Sequence, residues 1–369
     1  MNGNGRECKQ HAVSIEFLDY LQLSEPACFG WGWAMTENQQ RPLVSLLVFT
    51  YNQSAYVEEA LKGAFAQTYS PLEIIISDDF STDETFSIIQ RMTENYKGQH
   101  HLVILRNSTN LGLINHVNKV ILMAKGELMV LAAGDDVSLP ERCNVLVREY
   151  INNGEPMLLH SKAFEIDLNG RLTGEEAPHK KLHKKMSLEE AAISSSIYLG
   201  ASGAWSREIV NKYGTISHSN AYEDLVMGFR AILENKIYYV DQCLLLYRIG
   251  NGISNSNYVD KIENRKRIIR VMIDVLSQRM EDFSISSVKS SHAIESIENQ
   301  LFKYHFLQSF YNAGNNIPHY FLIKPMASFG YFFSEIKFLV KVKFPKILLI
   351  KRNLIKSFTT LVSKLRRPQ

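Results

Sequence analysis

The chain has 369 residues, 45% of them apolar and 21% charged, with a formal net charge of +3. At roughly 100–200 residues per domain, this length allows two or three units or one large α/β domain with extensions. The composition excludes a disordered or collagen-like chain, and no uninterrupted apolar run of about 18 residues marks a membrane-spanning helix.

The charge is unevenly spread. From Lys324 to the end there are eleven Lys or Arg and one acid, Glu335, a net +10 that leaves −7 to the preceding 323 residues. Four cysteines (Cys8, Cys28, Cys143, Cys243) are scattered without a CxxC pair, which argues against a disulfide framework or zinc site and fits a reducing cytosol. The opening segment lacks the basic-then-apolar layout of a signal peptide, so a cytoplasmic protein is expected.

Residues 1–41 show no steady period and read as an N-terminal preface, in which Trp31 and Trp33 flank Gly32. The pattern then sharpens. Apolar runs of strand length at 43–49, 72–77, 102–105 and 128–132 alternate with helical spacing at 54–67, 83–96 and 113–124. Continuous apolar strands separated by helices predict βαβ units and a parallel sheet covered on both faces. After Pro140 the alternation loosens: a helix at 141–151, then a strand at 157–166 that turns at Asn169-Gly170. The loop 178–185 holds His179 and His183 among four lysines and reads as a solvated loop rather than a metal site. Ser187 with Glu190 forms a capping box, Gly214 closes a helix at 206–213, and a helix at 222–234 precedes strands at 237–240 and 244–247. From 258 to 312 the spacing is helical, predicting an α-helical extension.

In doubly wound sheets, ligands bind beyond the carboxyl ends of the strands. Here those ends are polar: Thr50-Tyr51-Asn52 after the first strand, Asp78-Asp79-Phe80-Ser81-Thr82-Asp83 after the second, and Gly134-Asp135-Asp136 after the fourth. Two acidic pairs on neighbouring strand ends repel unless a cation or hydrogen-bond donors lie between them. A divalent metal carrying substrate phosphates meets that need, because hard cations prefer carboxylate oxygens and Mg²⁺ takes only one or two of them. Asp78 and Asp83 also read as caps of the next helix.

The ordered segments Pro42-Leu-Val-Ser-Leu-Leu-Val-Phe-Thr-Tyr-Asn52, Ala64-Phe-Ala-Gln-Thr-Tyr69, Ser77-Asp-Asp-Phe-Ser-Thr-Asp-Glu-Thr85, Asn110-Leu-Gly112 and Ala133-Gly-Asp-Asp136 resemble the signatures of family 2 glycosyltransferases of the GT-A fold. The resemblance runs from about residue 42 to 256. It implies an α/β GT-A architecture, with a Rossmann-like, mostly parallel sheet flanked by helices and a C-terminal helical extension. It also implies that Thr50, Tyr51 and Asn52 line a nucleotide pocket, that Asp79 meets a uracil-type base, and that Asp135 lies near the ribose. Asp136 would bind a divalent metal, Mn²⁺ or Mg²⁺, in a DxD-type site of Gly-Asp-Asp form. Glu223-Asp224, followed by Arg230, resembles the family's Glu-Asp motif, making Asp224 the candidate base and Glu223 its alternate. Two carboxylates at a helix start are equally a common stabilising arrangement. Gly200-Ala-Ser-Gly-Ala204 would set small residues against the donor sugar. Tyr247-Arg248 resembles a closing segment whose arginine meets phosphate. Many relatives carry a histidine two residues after this arginine; this chain has Gly250.

The expected organisation is a preface (1–41), a glycosyltransferase domain (42–256, with nucleotide half 42–140 and acceptor half 141–256), a helical extension (257–319) and a basic amphipathic tail (320–369). The tail interleaves lysines with aromatic and aliphatic residues. It is too charged to span a bilayer but suits interfacial helices on an anionic membrane; packing as an ordinary helix on the acidic body is the alternative. Nucleic acid is not an expected partner, because the basic residues alternate with continuous large aliphatics. The resemblance implies an inverting, metal-dependent transferase. It would take a nucleotide-sugar donor, of UDP type, and a glycan or lipid-linked glycan acceptor, in surface-polysaccharide assembly at the inner face of a membrane. A sugar nucleotidyltransferase would want a glycine-rich basic loop after the first strand, which is missing; a catalytically inactive scaffold would not need both Asp136 and Asp224.

Overall fold

The computed structural model describes residues 41–177, 186–250, 260–312 and 317–343. The preface up to residue 40, the lysine-rich loop 178–185, the segments 251–259 and 313–316 and the tail beyond 343 lie outside the described residues.

The nucleotide half alternates as read: β1 (Val44–Thr50), α1 (Val57–Phe65), β2 (Leu72–Asp78), α2 (Thr85–Glu94), β3 (His101–Arg106), α3 (Leu113–Met123) and β4 (Leu128–Ala133). Every residue of β2 is buried, as helices on both faces require, whereas β3 at the sheet edge exposes His101, Ile104 and Arg106 and half-buries Leu102, Val103 and Leu105. The chain runs outward from β1 to β2 to β3 and returns to β4 on the other side of β1. This reversal between β1 and β4 opens the crevice in which such sheets hold ligands.

The second half continues the same sheet: β5 (Val137–Ser138), α4 (Arg142–Asn152), β6 (Leu158–Ile166), β7 (Leu172–Ala177), α5 (Leu188–Ile193), a 3₁₀ turn (Gly200–Ser202), β8 (Ala204–Ser206), α6 (Arg207–Tyr213), α7 (Glu223–Leu233) and β9 (Ile237–Arg248). The strand order is β3-β2-β1-β4-β8-β6-β9-β5, with β7 on β6. Strands β8, β7 and β5 pair antiparallel and the rest parallel, which agrees with the mostly parallel sheet expected. The two strands read at 237–240 and 244–247 are one strand, β9, which stays paired with β6 through two register shifts near Ser161 and Lys162. The capping box at Ser187 and the Gly214 cap, at φ +70°, form as read.

The extension is two helices, α8 (Lys261–Ile285) and α9 (Ser291–Tyr311), capped at their starts by Asp260 and Ser290. They share the domain's core. Val271, Met272, Val275, Leu276 and Phe283 of α8 and Ala293 and Ile297 of α9 lie in one buried cluster with Trp205, Val226 and Phe229. Arg230 of α7 and Asp282 of α8, both 0% exposed, form an ion pair at 3.0 Å. The described start of the tail is α10 (Ile317–Ile323) and α11 (Pro325–Lys343), so the boundary drawn at 320 falls inside a helix. Both pack on α9 through an aromatic cluster that includes Phe306, Tyr320, Phe321 and Phe332. This part of the tail is docked on the body.

Removing one member of a buried ion pair leaves the other charge uncompensated, at a cost of about 3–5 kcal/mol. Asp282→Ala is therefore expected to lower the stability of the domain and its extension together by about 3 kcal/mol, as a single shifted transition in urea denaturation. Loss of α8 signal ahead of the sheet would show that the two fold separately.

Candidate active site

Parallel register aligns the carboxyl ends of β1, β2 and β4: Thr50 lies opposite Asp78, and Phe49 opposite Ala133. Thr50, Asp79, Asp135 and Asp136 are thereby brought to one rim. Thr50 is 2% exposed, and its hydroxyl lies 3.2 Å from both the Ser77 carbonyl and Asp78 Oδ1, so it ties β1 to β2 beneath the rim. Asn52 does the same from above: its amide donates to Ser81 Oγ (2.9 Å) and its Oδ1 accepts from the Thr82 amide (2.8 Å). Tyr51, 47% exposed, is left open to a ligand.

Asp79 is buried and accepts from Asn107 Nδ2 (2.7 Å) and the amides of Leu111 (2.8 Å) and Gly112 (3.0 Å). The Asn110-Leu-Gly112 segment is thus the donor set of this carboxylate, and Gly112 adopts φ +76° to present its amide. Asp78 is fixed by Ser81 and by Arg106 at 3.5 Å. Asp83 accepts from Thr85 and Ser54 amides, the capping behaviour that its position allowed. Hydrogen-bond donors and Arg106 therefore compensate the acidic pair of β2, and no cation is required there.

The pair after β4 is different. Asp135 and Asp136 are 8% and 5% exposed. Burial first, then the adjacent Asp135 carboxylate, drive the Asp136 pKa well above the ordinary range. A Cβ on Gly134 would collide with the Gln53 side chain and lie 2.8 Å from Thr50 Cγ2, so only glycine lets this turn close on β1. The turn is strapped down by the end of β9. The Arg248 amide donates to Asp136 Oδ1 (2.8 Å), and its guanidinium donates to the carbonyls of Asp135 (2.9 Å) and Asp167 (3.0 Å) and to Glu59 Oε2 (2.6 Å). Arg248 is 1% exposed and lies over the Tyr56 ring. These bonds position the acidic turn; the phosphate contact expected of Arg248 stands as a proposal. Among the described residues no group of three or more His, Cys, Asp or Glu is placed to hold a metal. Gly250 has φ +93°, a conformation that a histidine would strain to adopt.

The second carboxylate pair opens α7. Burial first, then Asp224, pushes Glu223 up to about 8; burial raises Asp224 to about 6, opposed by the Leu225 amide and by Arg279. The two titrate as a pair with raised affinity for a proton. Asp224 Oδ1 is buried with no hydrogen-bond partner among the described residues. The Gly200 turn packs on this pair: a Cβ at Gly200 would lie 3.3 Å from Glu223 Oε1 and 3.4 Å from Asp224 Cβ. The same turn reaches the other pair through Arg142, whose buried guanidinium donates to the Ala201 and Leu131 carbonyls (both 2.8 Å) and whose charge acts on Asp136.

Three residues escaped the sequence reading. Arg142 lies on the buried face of α4. Phe80, at φ +64° and 41% exposed, follows β2 at the rim. Arg279 of α8 is fully buried, donating to the carbonyls of Ala192, Ser194 and Leu225. Arg279 had a signal: it interrupts the apolar stripe Met272, Val275, Leu276, Phe283, where a charge needs a buried partner. Arg230, read with the Glu-Asp motif, faces Asp282 instead.

Residues 45–211 match the family model "Glycosyl transferase family 2". The chain carries a family 2 glycosyltransferase domain. It is 26% identical over 235 residues to an uncharacterised glycosyltransferase of Methanocaldococcus jannaschii, covering 63% of this chain and 78% of that protein. Other curated relatives are matched over smaller shares of their length, such as 35% of Bacillus subtilis CgeD and 27% of Escherichia coli chondroitin synthase. In fold, the chain is similar to Staphylococcus aureus TarS 1-349 in complex with UDP-GlcNAc, with a TM-score of 0.53 and 19% identity over 71% of this chain and 72% of that one. It is also similar to a mannosyltransferase of Pyrobaculum calidifontis in complex with GDP-Man and Mn²⁺, with a TM-score of 0.50 and 15% identity over 92% of this chain and 91% of that one. The GT-A fold expected from the motifs is the fold observed.

The family 2 domain should show the acidic pair of α7 in its stability. Folded Glu223 keeps its proton to about pH 8, whereas an unperturbed glutamate loses it near 4.5, so the folded state binds more protons between these values. Stability must then fall as pH rises through that window. Glu223→Gln is expected to raise the melting temperature at pH 9 and change it little at pH 4. An equal change at both pH values would contradict the raised affinity.

Proposed function

We propose that the domain is an inverting, metal-dependent glycosyltransferase that moves a sugar from a nucleotide-diphosphate donor, of uridine type, to a hydroxyl of a glycan or lipid-linked glycan. The observation that carries this reading is the pairing of two carboxylate sites across one turn. Glu223-Asp224 packs against the Gly200 turn, and Arg142, which bonds the same turn, acts on the buried Asp135-Asp136 pair.

The donor's base and ribose are assigned to the rim formed by Tyr51, Asn52, Asp79 and Asp135, over Thr50. Asp136, with Asp135 beside it, suits a hard cation that takes one or two carboxylates and completes its shell with diphosphate oxygens and water. Bound there, Mn²⁺ or Mg²⁺ would stabilise the charge developing on the departing diphosphate. Asp224, ionised above about pH 6, accepts the proton of the acceptor hydroxyl. The hydroxyl oxygen bonds to the anomeric carbon as the carbon–phosphate-oxygen bond breaks, and the nucleoside diphosphate leaves. Glu223, protonated at neutral pH, is a poor nucleophile, which favours direct displacement and inversion over a covalent intermediate. The acceptor is assigned to a membrane surface approached through residues 320–369, on the cytoplasmic side, as in assembly of a surface polysaccharide.

Nucleotide release from a panel of UDP-sugars with Mn²⁺ tests the assignment. Asp136→Ala and Asp224→Asn should each lower turnover by about 10²-fold or more, with UDP binding retained in Asp224→Asn. Undiminished turnover in either variant would remove its residue from the mechanism.

A further inference from the structure

The described start of the tail presents an apolar face that stays largely exposed, although Phe329 touches Phe321. Fifteen large apolar side chains are exposed among the described residues, and six of them fall between positions 322 and 336: Leu322 (84%), Ile323 (53%), Met326 (85%), Phe329 (51%), Phe333 (64%) and Ile336 (38%). On α11 the last four are spaced by three, four and three residues, which sets them on one helical face. A concentrated apolar face of this kind marks an interaction site, where scattered exposed residues do not.

An adjoining face of α11 fixes its orientation. Ser328 and Glu335 are 0% and 1% exposed, and Phe332 packs against Phe310 and Phe321. Glu335 takes two bonds from Arg265 of α8, at 3.0 and 2.8 Å, and a third from Tyr311 of α9. Turning the helix to bury Met326 and Phe333 would break this clamp and drag a carboxylate into solvent. The apolar face is therefore held outward. The clamp also pairs the one acid of the segment from Lys324 onward, which in sequence carries eleven Lys or Arg. Lys337, exposed, lies beside the apolar face.

Apolar side chains directed outward, followed in sequence by an excess of lysine and arginine, complement a surface that is apolar below and anionic above. A second copy of the chain would oppose the same positive charge to itself. We propose that the α11 face formed by Met326, Phe329, Phe333 and Ile336, with Leu322 and Ile323 of α10, is the surface by which this protein inserts into the interfacial layer of an anionic lipid bilayer. This deepens the membrane contact of the preceding reading and rests on it, naming the face that enters the lipid. Among the described residues no helix is long and apolar enough to cross a membrane.

The full chain, with vesicles of phosphatidylcholine alone or mixed with phosphatidylglycerol, provides the test by co-flotation. Binding is expected to the mixed vesicles, to weaken with salt, and to fall about tenfold or more in the Phe329→Glu/Phe333→Glu variant, since apolar burial and charge attraction are both needed. Donor hydrolysis measured without vesicles is expected to be unchanged in that variant, which separates loss of lipid binding from misfolding. Equal binding to both vesicle types, or undiminished binding of the variant, would overturn the proposal. So would a wild-type dimer that the variant dissociates while neither protein binds vesicles. Hydrolysis without lipid binding would sink this inference and leave the transferase reading standing; lipid binding without hydrolysis would do the reverse.

Discussion

Asp136 lies almost wholly out of solvent beside a second carboxylate, and burial together with that neighbour raises its affinity for a proton. A carboxylate in this state stays buried only if the surrounding backbone holds it, and β9 does so from 112 residues away, through the Arg248 amide on Asp136 Oδ1. The guanidinium then ties the Asp135 carbonyl to Glu59 of α1 and to the loop at Asp167. The acidic turn is thus pinned by three separate parts of the chain. Arg142 and Arg248 offset its charge only in part, and the cation proposed above, with its phosphates, would supply the rest. The acidic pair of β2 has no such deficit, because Asn107, Leu111, Gly112 and Ser81 donate to it.

The two halves of the site are joined by small residues and arginines. Glycine at 200 lets its turn approach Glu223 and Asp224, and Arg142 draws the same turn towards the end of β4. Behind α7, the extension is part of this arrangement. Arg279 of α8 donates to the Leu225 carbonyl, its charge opposes the proton affinity of Asp224, and Arg230 pairs with Asp282. The helices after residue 260 therefore belong to the core that fixes the candidate base.

Much of the fold was legible because the parallel strands are continuous apolar runs and the helices between them are amphipathic. The rim was legible because strand ends concentrate Thr, Asn and Asp. Strands β5 and β8, with two and three residues, are too short to show any period, and β9 was split because its register shifts interrupt the alternation. Arg248 carried no sign that it would brace the acidic turn: that depends on where Glu59 and Asp167 arrive in space. Arg279 was a missed signal, a charge on an apolar stripe. In the tail, the apolar and basic pattern was plain, but not that Glu335 would be buried against Arg265 and so decide which face of α11 points outward.

The central claim is that the Gly134-Asp135-Asp136 turn is built to hold a cation that in turn holds a diphosphate. Calorimetric titration with UDP, in the presence and absence of Mn²⁺, addresses it directly in the wild type and in Asp136→Asn. Mn²⁺ is expected to tighten wild-type binding about tenfold or more, roughly 1.4 kcal/mol, and to make no difference in the variant. Equal affinity with and without Mn²⁺ in the wild type, or a metal effect that survives the substitution, would contradict the account.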